Sequence, residues 1–161
     1  MKYSALVVSE QAAGEYSSQI KELDTADLPA GDILIKVSYS SVNFKDALSF
    51  SGNKGVTQTF PHTPGIDAVG EVVESTDNAL PVGTKVVVTG YDLGMNTSGG
   101  FGEYIRVPSE WVIKLPETGA ELEVWIGDTD GLMYKGVYEV DELDVPLDDQ
   151  VFSIHGKAVK M

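Results

Sequence analysis

The sequence predicts a mainly β domain of barrel type with few short helices, and three observations carry that expectation. Apolar residues recur with period two in short runs, the runs lie between clusters of Gly, Pro, Asn and Asp, and helical periodicity is scarce. The runs are expected at Tyr3 to Ser9, Ser17 to Leu23, Asp32 to Ser40, Ile66 to Ser75, Lys85 to Thr89, Gly102 to Val107 and Trp111 to Leu115. The one helix expected is short, Asn43 to Phe50, with Ser41 or Asn43 as its cap. The Gly-rich loop Ser51-Gly52-Asn53-Lys54-Gly55 ends it.

After Pro116 the texture changes. Residues 117–161 hold 11 of the 25 acidic residues but only 3 of the 11 Lys and Arg. There Leu122, Val124 and Ile126 alternate with Glu121, Glu123 and Trp125. The turn-forming Gly127-Asp128-Thr129-Asp130-Gly131 follows, and then an extended run from Leu132 to Val140. This pattern predicts a hairpin. A closing strand, Lys157 to Lys160, is expected after a turn at His155-Gly156.

Composition narrows the chemistry. At 161 residues and 42% hydrophobic the chain is expected to fold as a single domain, since its apolar content suffices to offset the entropy of ordering. A net charge of −14 argues against a nucleic-acid surface and against anionic membranes, because phosphates attract clustered Lys and Arg. Without a cysteine there is no disulfide, no thiolate metal site and no cysteine nucleophile. The first 30 residues lack an uninterrupted apolar run behind a basic start, so neither a signal peptide nor a membrane span is expected, and a cytoplasmic location fits.

Four motifs in order carry a family resemblance. They are Ser40-Ser41-Val42-Asn43-Phe44-Lys45-Asp46-Ala47-Leu48, Pro64-Gly65-Ile66-Asp67-Ala68-Val69-Gly70-Glu71-Val72, Pro81-Val82-Gly83-Thr84-Lys85-Val86 and Gly99-Gly100-Phe101-Gly102-Glu103-Tyr104. Together they resemble the N-terminal catalytic domain of the medium-chain dehydrogenases/reductases, and most closely the zinc-independent quinone oxidoreductases and acrylyl-CoA reductases. The resemblance implies a GroES-like, partly open β-barrel over residues 1–116, with residues 156–161 similar to the family's closing strand. Residues 117–155 then stand as an acidic segment where the family has its Rossmann cofactor domain. Zinc-dependent members carry a Cys at the place of Asn43 and a His at the place of Ile66, so no metal is expected.

The resembled enzymes use NADPH, and the resemblance places Asn43, Phe44, Lys45, Asp46 and Asp67 at the substrate and cofactor cleft. Asn43 would offer a donor and an acceptor, Phe44 a flat apolar wall, and Lys45 with Asp46 a local field. A plainer reading makes the same run a capped helix turn with Phe44 packed inward. Asp67 is open to both readings, as a residue facing the cleft or solvent. Gly65 and Gly70 are read as bends or close backbone approaches, and His62 as a loop residue.

No catalytic residue is identified. A dinucleotide site needs a Gly-rich turn opening a helix, and Gly99-Gly100-Phe101-Gly102 instead leads into a strand. No cofactor is therefore expected on the chain alone, and activity as an enzyme by itself is not expected. Two arrangements are open for partners. One is a homodimer through the C-terminal segment or an exposed barrel face, and the other a separate Rossmann-domain partner completing a split reductase. Asp128-Thr129-Asp130-Gly131 is read as an ordinary turn in preference to a calcium loop, and the acids from Asp141 to Asp149 as a solvated face.

Overall fold

The computed structural model describes residues 1–12 and 14–115 in full, together with the backbone of residues 121–127, 133–142 and 155–158. Two compact units are described in turn, Met1–Leu115 and Pro116–Met161.

In the first unit, β1 (Lys2–Ala12) and β2 (Glu15–Asp24) form an antiparallel hairpin whose turn includes Gly14 at φ 84°. Both strands outrun their predicted bounds, because their polar ends continue to pair beyond the last apolar residue. Alternation along β1 buries Tyr3, Ala5 and Val7, which pack with Leu23, Leu28 and Tyr104 in a small cluster of their own.

The larger sheet runs in the order β6-β3-β4-β5-β7, built from β3 (Ile33–Tyr39), β4 (Asp67–Ser75), β5 (Lys85–Thr89), β6 (Tyr104–Val107) and β7 (Ile113–Lys114). Every strand-to-strand pairing in it is antiparallel. Ile33, Ile35, Val72, Val86, Val88, Leu93, Ile105 and Val107 make its core. The inner edge of β1 is tied to this unit through Leu6 N–H to the Phe101 carbonyl (2.9 Å) and a reciprocal pair between Val8 and His62 (2.8 and 2.9 Å).

The predicted strand at Trp111 is corrected to a 3-10 turn, Ser109–Trp111, before β7. The Asp32 carboxylate accepts the Ser109 N–H at 3.2 Å, which favours a helical start there. His62 lies between α1 and β4, outside any strand, as the loop reading expects, and it is buried, bridged to Val8 and donating from Nε2 to the Gly94 carbonyl at 2.8 Å.

Gly65 sits at φ 108°, and a Cβ on it would lie 2.6 Å from the Phe101 nitrogen. Gly100 N–H donates to the Gly65 carbonyl (2.8 Å) and Phe101 N–H to the Pro64 carbonyl (3.0 Å). The second and fourth sequence motifs thus meet backbone to backbone, as the close-approach reading of Gly65 expects. Gly70, beside the Lys36 carbonyl on the neighbouring strand, is a second such approach.

In the second unit β8 (Glu121–Gly127) pairs antiparallel with β9 (Met133–Glu142), and β9 with β10 (His155–Ala158). His155 and Gly156 are therefore strand residues where a turn was expected. The turn read at Gly127 to Gly131 has residues 128–131 outside the described residues, as has most of the acidic run from Asp141 to Asp149. Among the described residues no helix is long and apolar enough to cross a membrane.

Candidate functional site

Helix α1 (Phe44–Phe50) starts at Asn43, an extended N-cap residue, after the chain leaves β3. Asp46 reaches back to accept the Asn43 N–H at 2.7 Å. Its other oxygen accepts the N–H groups of Gly65 and Ile66 at 3.0 and 3.1 Å. Asp46 is 1% exposed, and burial raises its pKa above the ordinary carboxylate value against the opposing pull of those hydrogen bonds. One carboxylate thus fixes the helix entry to the Pro64-Gly65 turn.

Asp67, at the start of β4, holds the second carboxylate. Oδ2 accepts from Ser41 Oγ at 2.7 Å and from Asn43 Nδ2 at 2.8 Å, and Oδ1 from Thr89 Oγ1 at 2.5 Å. Asn43 Nδ2 also donates to Ser41 Oγ at 2.8 Å, and Ser40 Oγ to the Asp67 carbonyl at 2.7 Å. All these donors are neutral. The network orients the Asn43 amide, since turning it over would set its oxygen against the carboxylate.

The residues named from sequence divide. Asn43, Asp46 and Asp67 come together through the β3–α1 connection and the start of β4, whereas Phe44 and Lys45 lie on the exposed side of α1. The inward packing considered for Phe44 is overturned by its 78% exposure. Asp67 is 8% exposed, so it does not face open solvent. The Lys45–Asp46 pairing is absent from the ion pairs among the described residues, because the Asp46 carboxylate turns inward to backbone donors.

The residues expected at the cleft do not include Ser41 and Thr89. Ser41 had a local signal as a cap. Thr89 has none in its own segment, and it joins because the β4–β5 register sets it opposite Asp67. Beyond α1, Lys54 Nζ lies 3.1 Å from Glu10 Oε2 and 4.7 Å from the Phe60 ring centre, pinning the following loop to the hairpin. The Lys54 ammonium lowers the Glu10 pKa, and Glu10 raises that of Lys54.

No group of three or more His, Cys, Asp or Glu side chains able to hold a metal exists among the described residues. Those residues do not fit a whole dinucleotide either. Their strands pair antiparallel, and their one α-helix has 7 residues and opens after Asn43 without a Gly-rich turn. What they form is an ordered network of neutral donors around the Asp67 carboxylate.

Comparison with known proteins supplies the lineage. The family described as the alcohol dehydrogenase GroES-like domain matches residues 29–117. Acrylyl-CoA reductase AcuI of Ruegeria pomeroyi is 38% identical over 116 residues, covering 71% of this chain and 35% of the relative. The YhdH oxidoreductase of Salmonella enterica, solved in complex with NADP, is 38% identical with a TM-score of 0.67, over 74% of this chain and 36% of that one. Bacillus subtilis YhfP, solved with NAD bound, is 38% identical with a TM-score of 0.68, over 74% and 36%. The chain spans roughly a third of the length of these relatives, 35% of the AcuI sequence. It belongs to the alcohol dehydrogenase GroES-like domain family, in the zinc-independent quinone oxidoreductase and acrylyl-CoA reductase branch of the medium-chain dehydrogenases/reductases.

Proposed function

We propose that this chain is a GroES-like catalytic-domain relative of an NADPH-dependent quinone oxidoreductase or acrylyl-CoA reductase that does not transfer hydride by itself. In this reading residues 1–116 form a partly open barrel and residues 117–155 stand as an acidic hairpin-containing segment in place of the cofactor domain, with residues 156–161 similar in sequence to the family's closing strand. The site comprises Asn43, Phe44, Lys45, Asp46 and Asp67, in a cytoplasmic protein.

The observation carrying the reading is the Asp67-centred network. It retains an oriented Asn43 beside an exposed Phe44, while the described residues offer no phosphate-binding helix. In the parent chemistry the nicotinamide carries the hydride and the protein positions it. A network without the means to hold the dinucleotide has nothing to position. The test is NADPH oxidation by the chain with acrylyl-CoA or a quinone as acceptor. Turnover above the uncatalysed rate contradicts the reading.

A second reading is a split reductase, in which a separate Rossmann-domain protein completes the cleft. The exposure of Val42 (80%) and Phe44 (78%) at the helix entry favours it, since apolar residues beside a polar site suit a covering partner. Copurification of a dinucleotide-binding protein that restores NADPH oxidation supports this reading. Purification without such a protein excludes it.

A further inference from the structure

Among the described residues, the β1–β2 hairpin has an outer edge with an orderly set of free backbone groups. Leu6 and Val8 use their backbone groups away from β2, Leu6 toward Phe101 and Val8 toward His62. Their partners across the hairpin are Ile20 and Ser18. In an antiparallel ladder, residues opposite such outward-facing ones also face outward. Ser18 and Ile20, and by the same alternation Tyr16, therefore present N–H and C=O at the outer edge of β2. Among the described residues β2 pairs with β1 alone.

An open edge of this length is usually blunted by charge, proline or a bulge. Here the centre, Tyr16-Ser17-Ser18-Gln19-Ile20, carries no charge, and Ile20 is 69% exposed. The hairpin's bulge lies on β1, between Glu10 and Ala12. The strand is also complementary to itself. A two-fold axis through Ser18 sets Ser18 against its own copy, Tyr16 against Ile20, and Glu15 against Lys21. All the outward groups are then matched, and opposite charges and an aromatic–aliphatic pair face each other twice. Moving the axis to Gln19 also matches the backbone, but sets Tyr16 against Glu22 and Glu15 against Leu23. Side-chain chemistry selects the Ser18 register.

We propose that β2 is a homodimerisation edge, pairing antiparallel with β2 of a second copy of this chain about Ser18. The face is distinct from the Asn43–Asp67 network, and the inference does not rest on the activity proposed above.

Sedimentation velocity from about 1 μM to about 1 mM, the span of weak interface affinities, tests it. Salt of about 0.15 M mutes the repulsion between two chains of net charge −14. The full chain is expected to dimerise reversibly. Ser18→Pro removes an outward donor while leaving the β1–β2 hydrogen bonds in place, and should weaken the dimer at least about tenfold with the melting temperature retained. Lys21→Glu, which sets acid against acid, should weaken it similarly, and Glu15→Lys combined with Lys21→Glu should restore it to within about threefold. A chain monomeric throughout the range overturns the proposal. So does a dimer indifferent to all these substitutions, as association through the C-terminal segment would be.

Discussion

Asp46 and His62 show how single buried groups hold the site in place. Asp46 accepts three backbone N–H groups from two chain segments, so its removal leaves buried donors without partners. Asp46→Ala should cost about 3 kcal/mol in urea unfolding. Asp46→Asn, which keeps an oxygen for Gly65 and Ile66 but turns an amide N–H on the Asn43 donor, should cost about half as much. His62 supplies the pH dependence. Burial lowers its pKa beneath the ordinary 6.5, with Nε2 donating to Gly94. Below pH 6.5 the unfolded chain takes up a proton that the folded chain refuses, so this contribution is full above 6.5 and is lost as pH falls through the folded value. Melting temperature should decline between pH 6.5 and about 5, above the main carboxylate range, and His62→Gln should flatten that decline.

Among elements, the join between the Pro64-Gly65 turn and the Gly99-Gly100-Phe101 segment is the most constrained. Gly65 combines φ 108° with backbone on its Cβ side, whereas Gly83, at φ 91°, has open space there. Gly83→Ala should therefore show the conformational cost alone, about 1 kcal/mol, and Gly65→Ala that cost plus displacement of a neighbouring strand connection, about 3 kcal/mol or more. Comparing denaturant midpoints of the two variants checks this. The strands themselves were legible where burial alternates: β5 occupies Lys85–Thr89, its predicted bounds, since Val86 and Val88 face the core and Lys85 and Thr89 do not. Trp111 was misread because an apolar run near a sheet edge resembles a strand, while the Asp32 carboxylate that bends it lies 77 residues away. The same limit applies at the site. Asn43, Asp46 and Asp67 stand in motifs, but Thr89 enters through cross-strand register, and Phe44's outward aim depends on which side of α1 meets the Gly65 turn.

For the molecule as a whole, the family was carried by four spaced motifs, each now placed within Met1–Leu115. Residues 117–161 lie beyond those motifs and carry 11 of the 25 acids, so their sequence gave strands without a role. We expect them to be needed for solubility, because the alternating Leu122, Val124 and Ile126 favour burial at about 25 cal/mol per Å² of apolar surface. Truncation after Thr118 should then yield aggregated or unfolded protein, and Val124→Asp in the full chain should do similar damage. A truncated chain that stayed monomeric and melted cooperatively at the same temperature would show the segment to be dispensable. The proposed inability of this chain to hold the hydride donor by itself is tested most directly by calorimetric titration of the purified chain with NADPH. No binding at submillimolar concentration is the predicted result, whereas saturable submillimolar binding would contradict the account and restore an enzyme.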